Sequence, residues 1–312
     1  MIPFSVIMPV YNEIKNIHEV LQALYQQTLV PNEIIVVDGW SHDWTYEFLQ
    51  KEEEQGKIRL LQNTIRHGNI ARSRNLAIKN STYDLILCTD AWCHVSDNRC
   101  ESFVTYYQEH PESEIVGWAS GFIIENAFQQ KLTYRLTSKT PNFPSRNISF
   151  KKKVWEEVWW YPEFLTLWWE DTYFNYHIRW LWYHIQYCKE ALVKRWLRKN
   201  YKEIFQMYRN YTQGDSEVFV VKGIKQSNSL IQALIFSGFF FLFLGSIPFI
   251  HFWSIPLIFI GFLIIWLYKR TKWGFRFDLH FSCAKILGIM LGFRKWLFSW
   301  WEIKRRIKNL NI

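Results

Sequence analysis

The sequence predicts an α/β protein with a mostly parallel sheet and flanking helices, followed by a C-terminal transmembrane helical hairpin. Three observations predict it. Short apolar runs alternate with helix-periodic segments between residues 4 and 88. Polar and acidic residues stand where those runs end. Two nearly uncharged stretches occupy residues 231–250 and 252–268.

The elements follow in order. Phe4–Val10 is an apolar run that breaks into Tyr11-Asn12-Glu13, the pattern of a buried strand entering a loop. Residues 14–27 carry Ile17, Val20, Leu21 and Leu24 at helical spacing. Residues 33–37 (EIIVV) form a second buried strand ending in Asp38-Gly39, and 45–54 read as a helix. A short strand over 58–62, a helix over 69–80 with Arg72 and Arg74 near its start, and a strand over 85–88 ending at Thr89-Asp90 complete the pattern. Ligands of such sheets sit at the carboxyl ends of the strands. Tyr11, Asn12, Glu13, Asp38 and Asp90 are therefore expected on one rim.

Composition narrows the class. The 312 residues carry a formal charge of +9, with 49% hydrophobic and 21% charged residues, which excludes a disordered or collagen-like chain. The five cysteines (Cys88, Cys93, Cys100, Cys188, Cys283) form no C-x-x-C pair, against a disulfide scaffold or structural zinc site and for a reducing compartment. The chain opens directly into a strand, so no secretory signal is expected.

Lys222 and Lys225 precede the first uncharged stretch, and Lys269, Arg270 and Lys272 follow the second. Basic residues on both outer flanks place both ends of the hairpin in the cytoplasm. Residues 279–311 mix apolar side chains with Lys285, Arg294, Lys295, Lys304, Arg305, Arg306 and Lys308, the composition of an interfacial helix on an anionic leaflet, with a third span as the alternative. The expected organisation is a domain at 1–225, the hairpin at 226–270 and a basic amphipathic tail at 271–312. A hairpin buried in a soluble domain is the competing reading. Nucleic-acid binding is not expected, because the basic residues border membrane segments and match no recognition module.

Five segments, FSVIMPVYNE (4–13), EIIVVDGWSHDWT (33–45), IARSRNLAI (70–78), LILCTDAWC (85–93) and WWEDTYF (168–174), together resemble the family 2 glycosyltransferases. The resemblance covers roughly residues 4–215 and implies a GT-A fold, a Rossmann-like sheet. It also implies a nucleotide-sugar donor and, with the hairpin, a membrane-anchored bacterial type. Position by position, it assigns Pro9, Tyr11 and Glu13 to the motif lining the nucleobase and ribose, and Asp38 to the base. Arg72 and Arg74 border the nucleotide, and Asp90 is the first acid of a D-x-D motif that holds a divalent cation (Mg2+ or Mn2+) on the diphosphate. Asp171, in the pair Glu170-Asp171, is the general base.

The chemistry asks for these residue types. Inverting transfer needs a carboxylate to take the acceptor hydroxyl's proton, worth ~10²–10⁴-fold. The leaving nucleoside diphosphate develops charge that a hard cation on carboxylate oxygens neutralises. One departure is plain: the third position of D-x-D is Trp92, so one strong oxygen ligand is supplied, and His94 or Glu170 are the candidates to help. Cys93 reads as a small buried residue. Residues 206–211 (QMYRNY) resemble the Q-x-x-R-W element of processive synthases, with Asn210 in place of Trp, making Arg209 a candidate phosphate contact against an ordinary amphipathic segment. Ser145-Arg146-Asn147 is a candidate border of the acceptor site.

Expected, then, is an inverting glycosyltransferase moving sugar to a lipid-linked or glycan acceptor in cell-envelope synthesis, at the cytoplasmic membrane. A polyprenyl-phosphate glycosyltransferase, which needs no base, and a non-catalytic nucleotide-sugar-binding membrane protein are the alternatives.

Two counts are anomalous. Glycine numbers 13, where usage of about 7% would give roughly 22. Tryptophan numbers 18. Trp40, Trp44, Trp92, Trp118, Trp159, Trp160, Trp168, Trp169 and Trp182 fall where turns or a phosphate-facing backbone ask for glycine, and the resemblance implies glycine at these positions. They are expected to be UGA codons that the cell reads as glycine, with strained, positive-φ backbone at these positions. Trp155, Trp196, Trp253 and Trp266 are expected in ordinary helix, strand or membrane positions. An aromatic-rich, sugar-stacking cleft is the alternative.

Overall fold

A computed structural model describes residues 1–65, 69–118, 121–123, 125, 129, 144–165, 170–196, 199–200, 202–207 and 209–210. The chain divides into two compact units, Met1–Thr166 with Glu170–Lys199, and Leu167–Trp169 with Asn200–Ile312.

In the first unit the strands are β1 (Phe4–Val10), β2 (Glu33–Asp38), β3 (Arg59–Gln62), β4 (Leu85–Cys88), β5 (Cys93–Val95), β6 (Ile115–Gly117), β7 (Gly121–Ile123), β8 (Ile148–Lys151), β9 (Ile185–Tyr187) and β10 (Val193–Trp196). The helices are α1 (Ile17–Tyr25), α2 (Thr45–Glu54), α3 (Ile70–Lys79), α4 (Arg99–Glu109), α5 (Lys152–Glu157) and α6 (Glu170–Trp180). A seven-stranded sheet runs β3-β2-β1-β4-β8-β6-β9, and a three-stranded sheet runs β5-β10-β7.

The first four strands of the large sheet are parallel, as expected from the βα alternation. Beyond β4 the sheet is mixed: β8 is antiparallel to both β4 and β6, with Cys88 opposite Ile148. A single 3₁₀ turn, Ser145–Asn147, leads into β8. The chain therefore enters this strand at the edge where β4 ends.

Both faces of the sheet are covered, which is why the strands read as continuous apolar runs. Val6, Met8 and Val36 pack with Ile17, Leu21, Leu24, Leu49 and Phe103 on one face. Ile7, Ile35 and Val37 pack with Ala77, Ile78, Trp155 and Phe174 on the other. Alternate residues of one strand thus serve two cores. Gly39 follows β2 directly, where a Cβ would meet the Val10 carbonyl oxygen at 3.1 Å, so the β1 and β2 termini lie in close contact.

In the second unit, Asn200 accepts from the Glu203 N–H at 3.0 Å and donates to the Glu203 carboxylate at 2.9 Å, starting a short helix in the manner of a capping box. Arg209 donates to Asn210. The expected hairpin and basic tail lie outside the described residues. Among the described residues no helix is long and apolar enough to cross a membrane.

Seven described Trp belong to the set expected at glycine-like positions, and five have positive φ: Trp40 (71°), Trp44 (70°), Trp159 (60°), Trp160 (69°) and Trp182 (61°). Trp92 and Trp118 do not, and Trp168 and Trp169 lie outside the described residues. Trp155 sits in α5 and Trp196 in β10, as expected.

Candidate active site

The carboxyl ends of β1, β2 and β4 form the expected rim. Asp38 closes β2, is fully buried, and turns one carboxylate oxygen, Oδ2, onto the N–H groups of Trp40 and Ser41, each at 3.0 Å. Its other oxygen, Oδ1, is buried with no hydrogen-bond partner. The loop after β1 is stitched to the loop after β2. Asn12, at φ 54°, donates its N–H to Ser41 Oγ at 2.9 Å and accepts from the His42 N–H at 2.8 Å. The Glu13 N–H donates to Thr45 Oγ1 at 3.0 Å, and the Glu13 carboxylate accepts from Asn16 at 2.8 Å. Tyr11 is exposed beside this stitching. Pro9 is buried within β1 opposite Val37, so its contribution is to the strand rather than to an open surface.

Below the rim lies a three-residue ionic cluster. Arg74, on α3, is 2% exposed; its Nη2 donates to Asp90 Oδ1 at 2.7 Å and its Nη1 to Glu170 Oε1 at 2.5 Å. The guanidinium lies 5.4 Å from the Tyr161 ring, which stacks on Phe174 at 4.1 Å. Both carboxylates are nearly as buried as the arginine. Arg74 thus joins the end of β4 to the first residue of α6. Burial, and next the adjacent Asp171, push the Glu170 carboxyl up to about 7, although Arg74 pulls the other way. Asp171 is partly buried, and its Oδ1 accepts from the Thr172 N–H at 2.7 Å. An acidic pair at a helix start is favoured by the helix dipole.

The segment leading to α6 is held by α3, through residues the sequence reading passed over. Asn69 caps α3 by accepting from the Arg72 N–H, and donates to the Glu163 and Leu165 carbonyls. Asn75 accepts from Trp155 Nε1 at 3.0 Å and the Tyr161 N–H at 2.9 Å, and donates to the Tyr161 carbonyl and the Glu163 carboxylate. Arg72 ion-pairs with Glu163 at 2.9 Å. The two arginines assigned to the nucleotide therefore both meet carboxylates, Arg72 on a half-open surface and Arg74 in the interior. Asn69 was legible as a helix cap; a side-chain hub such as Asn75 leaves no periodic trace.

Other candidates separate from this cluster. His94 lies on β5 with Nδ1 3.8 Å from Glu19 Oε1. Cys88, Cys93, Cys100 and Cys188 are free and buried, and burial pushes all four thiols up, so none is an activated nucleophile. Ser145 and Asn147 are buried structural groups: Ser145 Oγ lies 3.0 Å from the Tyr161 hydroxyl, and Asn147 donates to the Ala191 carbonyl. Asn147 also accepts from the buried Arg99, whose Nη2 donates to the Cys88 carbonyl at the end of β4. The Trp92 ring lies 5.3 Å from the Arg146 guanidinium and 5.9 Å from that of Arg195. Among the described residues no group of three His, Cys, Asp or Glu could hold a metal ion.

Solved structures share this architecture. A mannosyltransferase from Pyrobaculum calidifontis, PcManGT, in complex with GDP-Man and Mn2+, superposes with a TM-score of 0.63 at 18% identity, over 94% of this chain and 88% of that one. Staphylococcus aureus TarS 1–349 in complex with UDP-GlcNAc gives 0.51 at 20% identity, over 68% and 66%. These likenesses establish a GT-A-like sheet with flanking helices. In sequence, the poly(ribitol-phosphate) beta-N-acetylglucosaminyltransferase TarS of Staphylococcus aureus is 29% identical over 112 residues, which are 35% of this chain and 20% of TarS. The chain therefore matches about a fifth of the length of that relative. The O-antigen chain rhamnosyltransferase RfbN of Salmonella typhimurium is 24% identical over 225 residues, 65% of this chain and 69% of RfbN. The family model described as glycosyl transferase family 2 matches residues 5–209, a span that takes in the Asp38 rim, Arg74 with its two carboxylates and Asp171, and the chain belongs to that family.

Proposed function

We propose that the protein transfers a sugar, with inversion, from a nucleotide-sugar donor to an acceptor hydroxyl in cell-envelope glycan synthesis, at the cytoplasmic face of a membrane. The observation that carries this reading is the Arg74 bridge, which fixes Asp90 at the end of β4 and Glu170-Asp171 at the start of α6 on one side of the sheet. The donor lies along the rim. Asp38 Oδ1, which has no partner in the protein, becomes an acceptor for a nucleobase N–H once the turn covering it shifts, and Tyr11 lies exposed at the end of the neighbouring strand. Asp171, partly buried next to the raised Glu170 carboxyl, takes the acceptor proton. The acceptor oxygen then bonds to the anomeric carbon as the bond from that carbon to the diphosphate oxygen breaks. UDP-GlcNAc bound by TarS, and the glycan named for RfbN, support the donor class and the envelope role. Support for the membrane comes from the two apolar stretches and their basic flanks.

PcManGT was solved with Mn2+. In this chain the described residues fit a tightly held cation poorly, since Asp90 Oδ1 is already taken by Arg74, residue 92 is an indole and no third donor joins them. The cations near Trp92 are Arg146 and Arg195, 5.3 Å and 5.9 Å from its ring.

Thermal-shift titration with UDP-, GDP- and dTDP-sugars tests the donor, one class being expected to raise the midpoint. Asp171→Asn is expected to keep donor binding and lose ~10²–10⁴-fold in transfer to a hydroxyl acceptor. Full activity of that variant would instead mean that the acceptor is a phosphate, which needs no base.

A further inference from the structure

Three helices of this fold end in the same hydrogen-bonded turn. At the end of α2, the Gly56 N–H donates to the Glu53 carbonyl at 2.8 Å and the Lys57 N–H to the Glu52 carbonyl at 3.1 Å. At the end of α5, the Trp159 N–H donates to Glu156 at 3.2 Å and the Trp160 N–H to Trp155 at 3.0 Å. At the end of α6, the Trp182 N–H donates to Arg179 and the Tyr183 N–H to Ile178, both at 3.1 Å. Each is the paired pattern of a Schellman motif, whose pivotal residue takes the left-handed conformation. That residue has φ 70° at Gly56, 60° at Trp159 and 61° at Trp182. One motif carries the residue its geometry favours; the other two carry a bulky residue for which positive φ is a genuine outlier.

The same holds beyond helix ends. Among the described residues, positive φ occurs at Gly56, at Asn12 and at Trp40, Trp44, Trp159, Trp160 and Trp182. Glycine and asparagine are the types that visit this region; tryptophan is not. Nor are most of these rings buried, although Trp160 stacks on Trp155 at 5.5 Å and Trp159 lies 6.3 Å from His177. Trp44, Trp159, Trp160 and Trp182 are 74%, 59%, 50% and 85% exposed. Trp155, by contrast, is helical and 4% exposed, and it donates to Asn75. Strain retained for function clusters at active sites. Trp182 follows the end of α6 opposite to Glu170-Asp171 and is itself 85% exposed, where strain would serve no reaction.

We infer that residues 40, 44, 159, 160 and 182 are glycine in the protein the cell makes, through in-frame UGA codons read as glycine. These five positions then account for about half of the glycine shortfall and for part of the tryptophan excess. At residues 40 and 44, the turn that carries Asp38 and starts α2 would present bare backbone on the rim, without indoles.

Gene and peptide sequencing test this directly. UGA is expected at all five codons and UGG at codon 155, with glycine at 159 and 182 in peptides of the protein from its source cells. UGG at codons 159 and 182, or tryptophan in those peptides, overturns the inference. A physical test runs in parallel on the full chain made from synthetic genes. Changing all five Trp to Gly is expected to raise the unfolding midpoint by roughly 10 °C or more, or to restore cooperative unfolding where the Trp chain shows none. Trp155→Gly is expected to lower it. An unchanged or lower midpoint on changing the five would overturn the structural argument, and if neither chain folds the peptide sequence decides.

Discussion

Replacing Arg74 by methionine tests the ionic cluster most directly. The substitution keeps an unbranched, helix-compatible side chain on α3 and removes a guanidinium that is 2% exposed and holds Asp90 at 2.7 Å and Glu170 at 2.5 Å. Taking one partner from a buried ion pair costs about 3–5 kcal/mol, because the remaining charge loses its counter-ion and cannot recover water. Here two carboxylates, Asp90 and Glu170, are stranded. Glu170, already raised to about 7 by burial and by Asp171, can take up a proton. The loss is therefore expected to be about 3–5 kcal/mol at pH 8 and smaller by about 1–2 kcal/mol at pH 5, where Glu170 is protonated before the substitution. Urea unfolding of both proteins at the two pH values measures it, with Arg74→Met/Glu170→Gln expected to recover part of the pH 8 loss. A loss below about 1 kcal/mol at pH 8, or the same loss at both pH values, would refute the view that Arg74 neutralises a buried acidic pair.

Three further outcomes follow from the same geometry. The raised Glu170 carboxyl makes the folded state the better proton binder between pH 4.5 and about 7, so stability falls as pH rises through that window. Glu170→Gln is expected to flatten the decline by on the order of 3 kcal/mol, read from unfolding midpoints at pH 5 and pH 8. Asn75→Leu removes four hydrogen bonds to residues 155, 161 and 163, with an expected cost of about 2–4 kcal/mol and faster proteolysis of the segment before α6. Because Asp90 is paired with Arg74, chelation by EDTA is expected to lower transfer less than tenfold, checked by assays with and without added Mn2+.

Much of the first sheet was legible, because strands buried on both faces announce themselves as short apolar runs with polar ends. Phe4–Val10, Leu85–Cys88 and Thr45–Glu54 fall where the pattern puts them, and α1 and α3 are a few residues shorter than their periodic stretches. The rim was legible for the same reason: Asp38 and Asp90 end strands. The antiparallel entry of β8 was not, since Ile148–Lys151 carries no mark of direction in four residues. Arg74 was read as a nucleotide contact, because a basic residue near a helix start beside the rim invites that role. Only tertiary packing shows it turned inward onto Glu170, 96 residues later. The hub at Asn75 was invisible for a similar reason: one carboxamide joins four backbone and side-chain groups on three distant residues. The tryptophans at 159 and 182 were legible as misplaced, since the turns after two helices ask for a residue without a Cβ.

The long chain separation inside the Arg74 cluster also bears on how the protein is born. Asp90 and Arg74 leave the ribosome well before Glu170, and closing a loop of that length carries an entropic cost that other packing must first offset. A growing chain can set the four parallel strands and still lack the acid that completes the cluster. Its half-built interior then exposes a guanidinium with a single counter-ion, a species open to proteases and to wrong partners until α6 emerges and docks.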